Sequence, residues 1–155
     1  MKARTVVLTL ALCSIGVVAG VAAASPQMGT WKLNEAKSKI AAGTPKNHTV
    51  VYEAAGDDVK VIVDGVDGEG KTAHNEWTGK FDGKDYPVTG DATVDTRTYT
   101  MVNARTLTIT NKKAGKVTAT GRIVVSADGK TRTITTTSTD ATGKKVTSVG
   151  VYDKQ

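Results

Sequence analysis

The sequence predicts an all-β domain: an antiparallel up-and-down barrel of nine or ten strands, with one short helix after the first strand. Three observations carry that expectation. Gly29-Thr30-Trp31-Lys32-Leu33 reads as an opening strand with one large anchor. From His48 onward apolar and polar residues alternate with a period of two, the spacing at which strand side chains share a face. The dipeptide Gly-Lys recurs at positions 70, 83, 115, 129 and 143, and short glycine-bearing turns join sequential antiparallel neighbours. A sandwich would need a long Greek-key return, and every connection after His48 is short. Closure of the first strand on the last then removes both sheet edges.

The 155 residues make one domain. Ahead of it, Lys2 and Arg4 form a basic start, residues 6–21 are almost wholly apolar, and Ala22-Ala23-Ala24 offers small residues for cleavage. That order is the pattern of an export signal. The expected division is a signal peptide over residues 1–24, cleaved near Ala24, and a barrel domain over residues 25–155. The address is periplasmic or secreted, without a stable membrane anchor after processing. Cys13 is apolar filler inside the signal, so the processed chain has no cysteine and no disulfide. Loss of Lys2 and Arg4 lowers the net charge from +6 to +4. The lysines stand beside turn glycines and alternate with acids. A nucleic-acid surface would need a basic stripe instead.

Each element follows in turn. On the opening strand Gly29, Trp31 and Leu33 share the inner face, and the Trp31 ring can bury on the order of 200 Å². Residues 34–42 have the pattern of about two helical turns, with Asn34 as N-cap and Gly43-Thr44-Pro45 as the stop. Val50, Tyr52 and Ala54 share one face of the next strand, and Val59, Val61 and Val63 one face of its partner. In the connection over 64–70, Asp64, Asp67 and Glu69 are only loosely spaced like a calcium loop, which wants oxygens at alternate positions and a distal glutamate. Residues 72–80 put Ala73, Asn75 and Trp77 on one face and His74 and Glu76 on the other. Asp82-Gly83 and Tyr86-Pro87 break the chain, so residues 85–88 read as an edge or a bend. Strands over 94–102, 107–110, 116–125, 131–139 and 146–152 complete the series.

Chemistry-bearing groups are sparse. His48 and His74 are the only histidines, too few by themselves for a three-histidine metal site or a serine triad. His74 and Glu76 share a strand face, an arrangement open to acid-base or metal chemistry but equally expected of solvated side chains on an outer wall. Threonines crowd residues 131–139, where an ice-binding ladder competes with the general suitability of threonine for exposed strands. The expectation is a non-enzyme without cofactor or metal. A barrel of this strand number either encloses a ligand or fills with side chains. The candidate lining is Trp31, Tyr52, Trp77, Tyr99, Met101 and Tyr152. An enclosed apolar cavity would mark a carrier; a packed interior with an exposed apolar patch would mark a module acting on another exported protein.

Gly29-Thr30-Trp31-Lys32-Leu33 and the closing Val151-Tyr152-Asp153-Lys154 together resemble the first and last strands of the calycins, the superfamily of lipocalins and fatty-acid-binding proteins. The chain is similar to small exported bacterial lipocalin-like proteins. The resemblance implies a calycin-like barrel that sequesters a small hydrophobic molecule non-covalently. Fatty-acid-binding proteins place an arginine two residues before the final-strand tyrosine; here that position is Gly150. The segment over 34–46 is also too short for their two-helix lid, and the lipocalin Thr-Asp-Tyr turn is absent. Without the arginine, burial of a carboxylate loses several kcal/mol of hydration. The implied ligand is therefore neutral and apolar, oriented by the Tyr152 hydroxyl.

Overall fold

The computed structural model describes residues 25–139 and 142–155; the expected signal peptide lies outside them. Ten strands form: β1 (Gly29–Leu33), β2 (Lys46–Ala55), β3 (Asp58–Val66), β4 (Thr72–Gly79), β5 (Asp82–Thr89), β6 (Thr96–Asn103), β7 (Thr106–Lys113), β8 (Lys116–Val125), β9 (Thr131–Thr139) and β10 (Lys145–Lys154). Each pairs antiparallel with its chain neighbour, and β1 pairs with β10 through Trp31↔Lys154 and Leu33↔Tyr152. The sheet is a closed barrel, so no strand is left with an open edge.

Antiparallel order puts alternate connections at opposite ends. The near end carries residues 25–28 and the turns at 56–57, 80–81, 104–105 and 126–130. The far end carries the connections at 34–45, 67–71, 90–95 and 114–115. Period-two alternation sends Trp31, Val61, Trp77, Leu107, Ile123 and Val125 inward, where each is at most 1 % exposed. The bounds of β8 and β9 are those expected from sequence.

Two elements differ from expectation in more than their bounds. The helix over 34–42 is a single 3-10 turn, Glu35–Lys37. Asn34 does cap it, its side chain accepting from the Lys37 N–H at 3.2 Å. The next residues are then taken by β10. Val151 N–H donates to Ser38 Oγ at 2.9 Å, and Lys39 exchanges backbone bonds of 2.7 and 2.8 Å with Val149. A second helical turn would forfeit those bonds, and so short a helix has little intrinsic stability to set against them.

The second difference is β5. It runs as one strand through Pro87, with its pairing to β6 irregular between Asp82 and Asp85 where Gly83 stands, and its ladder to β4 is short: the paired positions are Glu76↔Thr89 and Trp77↔Val88. The seam is filled by a ring. Tyr86 lies over Gly79, and a Cβ there would stand 2.4 Å from Tyr86 Cγ, closer than any real Cβ contact. Tyr86 also meets Trp77 edge-on at 5.7 Å.

Gly79→Ala should therefore destabilise the barrel by about 1–3 kcal/mol, the usual cost of overpacking, read as a lower urea midpoint at unchanged m-value. An unchanged midpoint would show that Tyr86 does not close this seam.

Candidate functional site

The barrel interior has two halves. At the near end, Tyr152 on β10 stands opposite Arg132 on β9. Arg132 is 2 % exposed. Its guanidinium carbon lies 5.1 Å from the Trp31 ring, 5.0 Å from Tyr52 and 4.9 Å from Tyr152, within cation–π range of all three. The Trp31 indole N–H donates to the Gln27 carbonyl at 2.8 Å, and Gln27 Nε2 donates to the Arg105 carbonyl at 3.2 Å. Residues 25–28 thereby cap this end.

Gly150 belongs to the same construction. A Cβ there would meet Tyr152 Cε2 at 2.9 Å and Ile134 Cγ2 at 3.2 Å. The position is small so that the Tyr152 ring can lean over it, and the buried cation comes from the adjacent strand instead. The inference from Gly150 to an interior without a cation is overturned by Arg132 and by Arg97. The Tyr152 hydroxyl is also already engaged, donating to the Asn47 carbonyl at 3.0 Å. Burial pushes the Tyr152 and Tyr52 hydroxyls above their ordinary range, and Tyr99 beside Tyr52 adds to its shift. Both stay neutral phenols.

At mid-height Trp77, Phe81, Tyr99 and Tyr52 pack as one cluster; Trp77 and Tyr99 meet edge-on at 4.7 Å. Of the six candidate lining residues, Trp31, Tyr52, Trp77, Tyr99 and Tyr152 converge here and around Arg132, each 3 % exposed or less. Met101 does not join them. Its register is inward, but it lies near the end of β6 beside a shift in pairing and is 46 % exposed.

The far half is built of smaller and more polar side chains. Arg97 is buried, donating from Nε to Asn111 Oδ1 at 2.8 Å and from Nη1 to Asn75 Oδ1 at 3.2 Å, while its carbonyl accepts from the Trp77 indole at 2.9 Å. Ser148 Oγ accepts from the Ala41 N–H at 3.0 Å and lies 3.2 Å from Thr44 Oγ1, which ties the 34–45 connection across this end. Ile134, Thr136 and Ser138 follow Arg132 on the inward register of β9 yet are only partly buried. Inward positions stay wet only where solvent enters the barrel. Among the described residues neither buried guanidinium makes an ion pair. Neither arginine was singled out from sequence, although strand parity held the signal: Arg97 shares a face with Tyr99, and Arg132 with Ile134.

A recess of about 510 Å³ lies outside the barrel. Thr108, Thr110, Thr120, Arg122, Val124 and Thr135 line much of it. Thr98, Thr110, Thr120, Thr137 and Thr147 form one cross-strand rung over β6 to β10. No aromatic ring lines this recess, and Arg122 is its one ionisable group.

No family model matches the chain, and no curated protein does. Among solved structures it is similar to a redesigned beta barrel, mFAP1, bound to DFHBI, at 14 % identity and a TM-score of 0.46, over 83 % of this chain and 95 % of that one. It is also similar to EF1p2_mFAP2b bound to DFHBI, at 13 % identity and a TM-score of 0.47, over 86 % and 97 %. Likeness at that level carries no functional argument.

The polar groups of the β3–β4 wall are engaged with one another. Asp67 Oδ1 accepts from the backbone N–H groups of Glu69 and Lys71 at 2.8 and 3.0 Å, and Glu69 pairs with Lys71. His74 Nδ1 lies 2.7 Å from Asp64 Oδ1, and its Nε2 lies 3.6 Å from Glu76 Oε1. The hydrogen bond to Asp64 raises the His74 pKa above its ordinary value, and the charges of Asp64 and Glu76 add to the rise. A raised folded-state pKa stabilises the fold fully below the unfolded value near 6.5 and loses that contribution as pH rises through the folded value. The ring is half-exposed, so the gain is under about 1 kcal/mol. An NMR titration should place the His74 midpoint above the ordinary histidine value near 6.5, and Asp64→Asn should bring it down; an unmoved midpoint would contradict the pairing.

Proposed function

We propose that this chain is an exported lipocalin-like binding protein that takes a small molecule, non-covalently, into the far half of its barrel. The basic start, apolar run and small-residue end of residues 1–24 support export to the periplasm or beyond. The observation that carries the binding reading is the contrast along β9: Arg132 is sealed at the near end, while Ile134, Thr136 and Ser138 on the same register are reached by solvent. The Trp77–Tyr99 cluster is then the floor of the cup, and Asn75, Arg97, Asn111 and Ser148 are its polar wall. Few convergent polar groups above an apolar floor is the usual composition of a ligand site.

The expected ligand changes accordingly. An interior without a cation would favour a neutral molecule. Arg97, held by two amide oxygens and no carboxylate, favours an apolar molecule with an acceptor at one end, a carboxylate above an ester. No reacting constellation accompanies it, and the role is sequestration, not catalysis. A second reading, an interaction module for another exported protein, draws on the well-packed near half together with Val117 and Val124 exposed on the outer wall, at 57 % and 40 %.

Titration of the processed chain with a medium-chain fatty acid and with its methyl ester, followed by Trp77 fluorescence, separates these readings. The acid should bind more tightly, and Arg97→Met should weaken the acid about tenfold or more, the loss of one charge-assisted bond, leaving the ester unchanged. Tighter binding of the ester would restore the neutral ligand. No saturable change with either would favour the interaction module.

A further inference from the structure

We propose that the near end of the barrel encloses a site for a small inorganic monoanion of halide size, held by Arg132. The site is distinct from the ligand cup and does not rest on it. Arg132 Nε and Nη1 are both buried and have no hydrogen-bond partner. The three rings around the guanidinium engage its charge, but an aromatic ring at a centroid distance near 5 Å is no acceptor for an N–H donor of ordinary hydrogen-bond length. Buried donors are paired almost without exception, and a buried charge more strictly still.

The charge favours an anion over a water molecule. A water accepts from the guanidinium but leaves its charge uncompensated. A monoanion accepts and neutralises together. Size follows from the surroundings: Arg132 is almost wholly buried among Trp31, Tyr52 and Tyr152, so an ion held at its nitrogens is small.

Crystals of the unmodified protein grown in bromide test the assignment without any variant. The expected result is an anomalous peak within hydrogen-bond distance of Arg132 Nε or Nη1. In solution, the unfolding temperature should rise by a few degrees with chloride at constant ionic strength and then saturate, as binding linkage requires, and Arg132→Met should remove that dependence. Bromide found only at exposed lysines, an adventitious ion only, would overturn the proposal. A non-anomalous water on Arg132, or a chloride response that survives Arg132→Met, would overturn it equally.

Discussion

One side chain joins the strands that must meet for this barrel to exist. Arg132 stands on β9 and touches Trp31 on β1, Tyr52 on β2 and Tyr152 on β10. The first and last strands share a short ladder, with three Cα partners between them, so closure leans on side chains as well as on backbone bonds. A desolvated cation–π contact contributes about 0.5–2 kcal/mol, and three such contacts converge on the same guanidinium. The Trp31 indole extends the construction by fixing Gln27, which turns the opening segment into a cap over the near end.

That concentration of rings divides the molecule. Bulk spent at the near end leaves the far end with Asn75, Asn111, Ser148, Thr136 and Ser138 facing the axis; Asn75 and Ser148 are buried, while Asn111, Thr136 and Ser138 are only partly so. The two buried arginines serve different ends. Arg97 is satisfied by amide oxygens and stands beside the wet half; Arg132 is sealed among rings and fastens the closure. A barrel built this way can hold its shape at one end while the other exchanges its contents, a division of labour that suits a binding protein.

Much of this was legible in the chain. Turn glycines and period-two alternation placed β8 and β9 at their observed bounds, and Trp31 at the closure, because local turn chemistry and the pleat act on neighbouring residues. What was not legible depends on partners distant in sequence. Residues 34–42 carry a helical pattern with a working cap, yet Ser38 and Lys39 are captured by a strand more than a hundred positions away. Gly150 read as a missing arginine, when the position makes room for the Tyr152 ring. Arginine is ordinarily solvated, so Arg97 and Arg132 were passed over although their parity pointed inward; only the aromatic cage and the asparagine pair make their burial intelligible. Met101 shows the converse, an inward register undone by its place at a strand end.

The central claim is a sealed end and a wet end within one barrel. A chain starting at Ser25 has no cysteine, so single cysteines report on each half. Thiol labelling of Thr136→Cys, on the inward register of the far half, should proceed rapidly under native conditions. Labelling of Val125→Cys, opposite Arg132, should be limited by global unfolding and slow as the fold is stabilised. Equal rates at the two positions, whether both rapid or both protected, would contradict the division on which the functional reading stands.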